Sequence, residues 1–172
     1  MKDFRTSGFD GLSLAKISES TSLGKASLYH HFPGGKEEMA LEVMRAALNW
    51  INTEIAYVLN LKDDPSSRLK TVLEKLNGFY ECGERACILE AMVASDVPVS
   101  VKDQVKDAFE TLMDGFRKLA LDFGFTRKDS VRLAELTVIS LQGSLIVSRG
   151  ARDKTIFQRA LKNIEEFYTT KT

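Results

Sequence analysis

The chain has 172 residues, 44% hydrophobic and 28% charged, with 24 basic against 24 acidic side chains and only three prolines. That length holds one large core, or a small domain joined to a larger one. A formal net charge of zero excludes nonspecific nucleic-acid binding by the whole surface, so any such binding must come from a local constellation.

Several classes fall away on residue content. Cys82 and Cys87 match no common metal spacing, and two cysteines make no disulfide framework, so they read as reduced structural thiols of a cytoplasmic protein. No apolar run of bilayer length and no signal-peptide core stand out, so no membrane partner is expected. Enzymatic chemistry has little to work with: there is no glycine-rich phosphate loop, no Cys or Ser beside a plausible triad, and no metal cluster, so no cofactor is expected either.

The N-terminal stretch carries the most information. Leu14 and Ile17 are spaced as one face of a short helix, and Ser20-Thr21-Ser22 breaks the pattern with turn-favouring residues. A second short helix follows, with Gly24 as its N-cap, Leu28 and Phe32 as its buried edge, and Pro33 disfavouring continuation at Phe32. Two short helices joined by a tight turn make a helix-turn-helix, whose second member fits a major groove. Its outward residues are Lys25, Ala26, Ser27, Tyr29 and His30, which offer a cation, hydroxyls, an imidazole and a methyl to phosphates and base edges. Ser13 can cap the first helix and touch phosphate, and Lys16 can reach the backbone. Residues 1–36 hold five Lys/Arg against three Asp/Glu, an excess too small to carry the DNA assignment without the motif.

The stripe Met39, Val43, Ala46, Ala47, Trp50, Ile51, Ile55, Val58 and Leu59 predicts a helix from Lys36 to about Leu59, spanning about 36 Å at 1.5 Å per residue. Lys36 lies in its first turn, where a cation opposes the helix dipole, and a DNA phosphate at that terminus would account for it. Asp63-Asp64-Pro65 starts a helix running to about Tyr80, with Gly83 ending it. Residues 86–94 read as a short helix apolar nearly all round, hence buried. Ser95-Asp96 and Pro98 open a further helix that ends near Gly124, and Thr126 with Asp129 forms a capping box for the next. The stretch from Val131 to Val147 is apolar on more than one face, and a last helix covers about Lys154 to Tyr168. A helix apolar around most of its girth must be covered on both sides. One chain supplies one cover, so a homodimer is expected through a four-helix bundle of the last two helices of each copy, with Leu133, Thr137, Ser140, Leu141, Ser144, Phe157, Leu161 and Ile164 as its interface.

Gly-Lys-Ala-Ser-Leu-Tyr-His-His-Phe (residues 24–32) followed by Lys-Glu-Glu (36–38) resembles the signature of the tetracycline-repressor (TetR) family of bacterial transcription regulators. The local match spans roughly residues 4 to 45. Ser22 stands where the family usually has Gly, and Gly24 where it usually has a Ser or Thr cap. The link Pro33-Gly34-Gly35 is one residue longer than the commonest form. Only Met1 to Ser7 precede Gly8-Phe9, so most of the family's first helix is expected to be lacking. The resemblance implies an all-α fold: a helix-turn-helix DNA-binding domain over residues 1–45 and a helical effector-binding and dimerisation domain over residues 46–172. It also implies a phosphate contact for Lys36, a palindromic double-stranded operator, repression, and release by a small-molecule effector. Trp50, Tyr57, Phe79, Met92, Phe109, Met113 and Phe116 can line an effector cavity, with Glu90, Asn52, Arg117 or Gln142 as a polar anchor, which suits a lipophilic or aromatic ligand. The alternative is a dimeric helical interaction or ligand-binding module without DNA binding.

Overall fold

The computed structural model describes residues 1–170, which are built from helices with no strand among them. The expected all-α fold with an N-terminal helix-turn-helix is what the chain forms. α1 (Lys2–Ser7) buries Phe4 and packs on α7; α2 (Leu14–Thr21) and α3 (Lys25–His31) are the two short helices of the motif.

The long helix expected from Lys36 to Leu59 is present but not uniform. α4 covers Gly35–Trp50, Ile51–Ala56 is wound as a π-helix, and α5 is a final turn at Tyr57–Leu59. Ala47, Ile51, Ile55 and Leu59 are all buried. Those four-residue steps pass unbroken through the π segment, so the apolar pattern carries no sign of it.

α6 (Pro65–Phe79) begins as its sequence signal requires, with Asp64 accepting a hydrogen bond from the Ser67 N–H at 2.9 Å and Pro65 in the first turn. Its unexpected feature is Arg68, only 4% exposed. One guanidinium nitrogen donates to the Leu59 carbonyl and another to Asp122 Oδ2, both at 2.8 Å, so a buried cation ties the end of α5 to the end of α8. A turn at Glu81–Gly83 follows, in which Gly83 has φ 98°. A Cβ there would lie 2.6 Å from Phe157 Cβ and 3.0 Å from Ser148 Oγ, so the turn requires glycine for both its backbone and the close approach of α10.

α7 (Ile88–Val93) buries Ile88, Leu89 and Met92 but leaves Val93 exposed, so it is not buried all round as its composition suggested. α8 (Val99–Asp122) buries Val101, Val105, Leu112, Phe116 and Leu119 on one stripe. α9 (Arg127–Ala151) opens on Thr126, whose hydroxyl accepts from the Asp129 N–H at 3.1 Å and bonds the Asp129 carboxylate at 2.6 Å. α9 is long and apolar enough to cross a bilayer by length and composition, contrary to the sequence expectation that no run reaches that length. One of its faces is nevertheless packed inside the chain, as in the core helix of a globular protein. α10 (Thr155–Thr169) packs on α9 and α6 and buries Phe157, Leu161, Ile164 and Tyr168.

By contacts the chain forms two compact units: residues 1–49 with 87–108, and residues 50–86 with the chain from Phe109 onward. The first unit thus contains the helix-turn-helix together with α7 and the start of α8, a segment whose membership nothing in its own composition announces.

Candidate nucleic-acid interface

The motif is assembled by local chemistry. Ser13 takes an extended conformation and its Oγ accepts from the Lys16 N–H at 3.2 Å, capping α2 as expected. The Lys16 ammonium donates to the Gly11 carbonyl at 2.8 Å, which orients it along the chain segment that leads into α2. Ile17 is buried, and Thr21 donates its hydroxyl to the Ile17 carbonyl at 2.6 Å. Ser22 then adopts the left-handed conformation (φ 58°, ψ 18°), performing the turn where glycine would be the easier residue.

α3 starts at Gly24, which is extended and makes no side-chain cap. Leu28, 3% exposed, anchors the helix inward, while Phe32 is half-buried. With Leu28 inward, Lys25, Ala26, Tyr29 and His30 are exposed together and Ser27 is half-buried at the edge. Tyr29 is 52% exposed, a large aromatic with half of its surface open to solvent. The rings of His30 and His31 meet edge-on at 5.4 Å, which restrains both imidazoles near the C-terminal end of the helix. Six of the eight expected DNA-contact residues, Ser13, Lys16, Lys25, Ala26, Tyr29 and His30, are therefore exposed on the two motif helices.

Lys36 is placed differently. Its Nζ donates to the Phe9 carbonyl at 3.0 Å and lies 4.0 Å from the centre of the Phe9 ring. The ammonium thus has two partners within the chain. Phe9 is held from the other side too: its N–H donates to Ser95 Oγ at 2.9 Å, and the neighbouring Asp10 carboxylate accepts from the Asp96 N–H at 2.8 Å. At the start of α4, Glu38 accepts from the Gly34 N–H at 2.8 Å and Glu37 accepts from the Ser100 hydroxyl at 3.2 Å. Sequence reading missed Ser95, Asp96 and Ser100, which lie far along the chain from the motif.

The other expected site residues differ in exposure. Tyr57 is 63% exposed, because it sits on the helix face roughly opposite the buried Ile55 and Leu59. Met92 and Phe116 are fully enclosed, Phe109, Met113 and Glu90 are half-buried, and Trp50 stacks on Phe79 with centroids 3.7 Å apart. Glu90 and Met92 belong to the first unit and the other six residues to the second. A cleft of about 500 Å³ between α6 and α10 is lined by Lys70, Glu74, Asn77, Arg159 and Lys162 among others, none of them an expected ligand residue.

Of the expected dimer residues, Leu133, Thr137, Leu141, Ser144, Phe157, Leu161 and Ile164 are buried inside the chain's own core, and only Ser140 is half-exposed. Within the single chain these residues form the inward faces of α9 and α10. The outward face of α9 carries Leu136, Ile139, Ile146 and Val147, all exposed.

Residues 1–43 match the profile described as "Bacterial regulatory proteins, tetR family". The chain is 22% identical over 156 residues to the HTH-type transcriptional regulator LmrA of Bacillus subtilis, covering 88% of this chain and 83% of that protein. It is 32% identical over 77 residues to the HTH-type transcriptional repressor KstR2 of Mycolicibacterium smegmatis, covering 45% of this chain and 34% of that protein. Residues 1–43 are therefore those of a TetR-family DNA-binding domain, and the relatives support a regulator of that kind. The chain is accordingly a DNA-binding transcriptional regulator rather than an enzyme. The crystal structure of a TetR transcriptional regulator from Legionella pneumophila shares the fold with a TM-score of 0.84 at 22% identity, over 98% of this chain and 91% of that one. The TetR-family likeness in fold therefore extends well beyond the helix-turn-helix.

Proposed function

We propose that this protein is a cytoplasmic repressor of the TetR family that binds a palindromic operator as a homodimer and releases it when a small lipophilic or aromatic effector binds. Residues 1–45 then serve as the reader, and residues 46–172 as the effector-binding and dimerisation domain. The observation that carries the DNA-reading part is the outward face of α3, where Lys25, Tyr29 and His30 are exposed while Leu28 fixes the helix from behind. Lys25 supplies a sequence-independent phosphate contact, and Tyr29 and His30 read base edges or flank them.

Dimerisation is supported by α9. Leu136, Ile139, Gly143, Ile146 and Gly150 recur in steps of three and four along its outer face, with Ile139 66% exposed. A Cβ added at Gly143 or Gly150 would meet nothing within 4 Å, which leaves room for the close approach of a second α9. Two readers related by a two-fold axis select half-sites about one helical turn, or a multiple, apart. The effector part is supported by the half-buried Trp50–Phe79 stack, an aromatic pair that a flat apolar ligand can extend. Repression is the role named for KstR2.

The test is selection of duplexes from a random-sequence library by the full chain, followed by sedimentation of the complex. Enrichment of a palindrome bound by two copies supports the proposal. Failure to enrich any duplex, with the protein folded and dimeric, would leave a helical interaction module instead.

A further inference from the structure

Both ends of the helix-turn-helix are fastened by a segment that lies far along the chain. At the end leading into α2, Ser95 Oγ accepts from the Phe9 N–H at 2.9 Å and donates its own proton to the Ala91 carbonyl at 2.9 Å, so the hydroxyl has one available orientation. The Asp96 N–H donates to Asp10 Oδ2 at 2.8 Å. Just before these two, Gly8 has φ 64°, and a Cβ on it would lie 2.6 Å from Ser95 Oγ. At the end leading out of α3, the Ser100 hydroxyl donates to Glu37 at 3.2 Å. Lys36 closes the ring of contacts by donating to the Phe9 carbonyl at 3.0 Å, so both polar groups of the Phe9 residue are taken, one by α4 and one by the α7–α8 junction.

We infer that residues 95–100 are part of the DNA-binding apparatus, with Ser95 and Lys36 as positioning residues that set the angle of the reader by gripping the Phe9 backbone from opposite sides. This rests on the DNA-reading function proposed above and gives Lys36 a role other than the phosphate contact that its resemblance implies. A cation that holds a backbone carbonyl and covers an aromatic ring must give up both to reach a phosphate. A loosened grip lets the 8–12 turn, and α2 with it, sample other angles, and only a fraction of molecules then presents α3 in the binding geometry. Apparent affinity falls by that fraction.

The experiment compares the wild-type chain with Ser95→Ala, Ser95→Thr, Lys36→Met and Lys25→Ala. It uses a duplex enriched by the wild type from a random library and titrates it at several salt concentrations, with Kd corrected for the active fraction of each preparation. Ser95→Ala and Lys36→Met are each expected to weaken binding about 3- to 10-fold, the loss of one net hydrogen bond, with the salt slope unchanged. Ser95→Thr keeps the hydroxyl and restores affinity. The double variant loses less than the product of the single losses, because both grips act on one residue. Lys25→Ala is the reference for a phosphate contact and lowers the slope by about 0.9 per copy bound, about 1.8 for the dimer. In parallel, the Phe9 amide exchanges hydrogen faster in Ser95→Ala. A purely structural role for Ser95 would lower Tm and the active fraction but leave the corrected Kd unmoved, and that result overturns the inference. So does a salt slope for Lys36→Met that drops as far as that of Lys25→Ala. Asp10→Ala severs the adjoining contact and carries the same test if Ser95→Ala is recovered unfolded. A wild type that enriches no duplex defeats the proposed function itself, and the inference with it.

Discussion

The Thr137 and Tyr168 hydroxyls lie 3.1 Å apart inside the core where α9 meets α10, and Thr137 also donates to the Leu133 carbonyl at 2.8 Å. With its one proton given to Leu133, Thr137 accepts from the Tyr168 phenol. Burial raises the Tyr168 pKa far above its ordinary value. The folded state therefore keeps the phenol protonated while the unfolded chain loses its proton near pH 10. More protons bound in the folded state means that stability falls as pH rises above about 10 and is unaffected below it. Tyr168→Phe is expected to cost about 0.5–1.5 kcal/mol at neutral pH and to flatten the alkaline loss, as read by urea melts between neutral and alkaline pH.

Arg68 gives a second stability test. It is 4% exposed and bridges the Leu59 carbonyl and Asp122, whose side chain is 51% exposed. Arg68→Met leaves the carbonyl without its donor and is expected to destabilise by about 1–3 kcal/mol. Asp122→Asn, at the wetter end of the pair, is expected to cost under about 1 kcal/mol. Equal losses for the two would show that the ion pair, and not the bond to Leu59, is what matters at this joint; chemical denaturation separates them.

Gly83→Ala is expected to be the more damaging of two small changes in the second unit. It puts a methyl against Phe157 and a side chain on a left-handed backbone, a cost of about 1–3 kcal/mol from the backbone conformation alone. Gly78→Ala, within α6 and with open space around it, is expected to stabilise by up to about 1 kcal/mol. Thermal melts of the pair should shift in opposite directions.

What could be read ahead of the structure was what is encoded over short distances. Ser13, Asp64-Pro65 and Thr126 announce helix starts because a cap acts over three residues. Leu28 identifies the inward edge of α3, and with it the outward one. The clasp of Phe9 by Ser95 was illegible because its partners are 86 residues apart and neither has an unusual neighbourhood in sequence. α9 shows the limit of periodicity most directly. Its two-faced apolar pattern was visible, but Leu133 and Leu136 are equally apolar, and only the packing of α10 decides that the first is core and the second surface. The exposed apolar residues of α9 accordingly lie on the face away from the expected interface residues Leu133, Thr137 and Leu141.

That distinction is testable by oligomeric state. Ile139→Asp places a charge on the exposed face of α9 and is expected to yield a folded monomer by sedimentation equilibrium, with unchanged helicity. Leu161→Asp, on the buried face of α10, is expected to unfold the chain rather than merely separate two copies. A folded monomer from the second variant and a dimer from the first would place the interface where the sequence alone had put it.

The reader helix is tested most directly by equilibrium titration of duplexes enriched by the wild type, with Lys25→Ala, Tyr29→Ala and His30→Ala beside it. Lys25→Ala is expected to weaken every duplex alike, while Tyr29→Ala and His30→Ala each cost about 1–3 kcal/mol at particular base pairs and little at others. Wild-type affinity in all three variants, on matched and mutated duplexes alike, would contradict the assignment of α3 as the element that reads DNA.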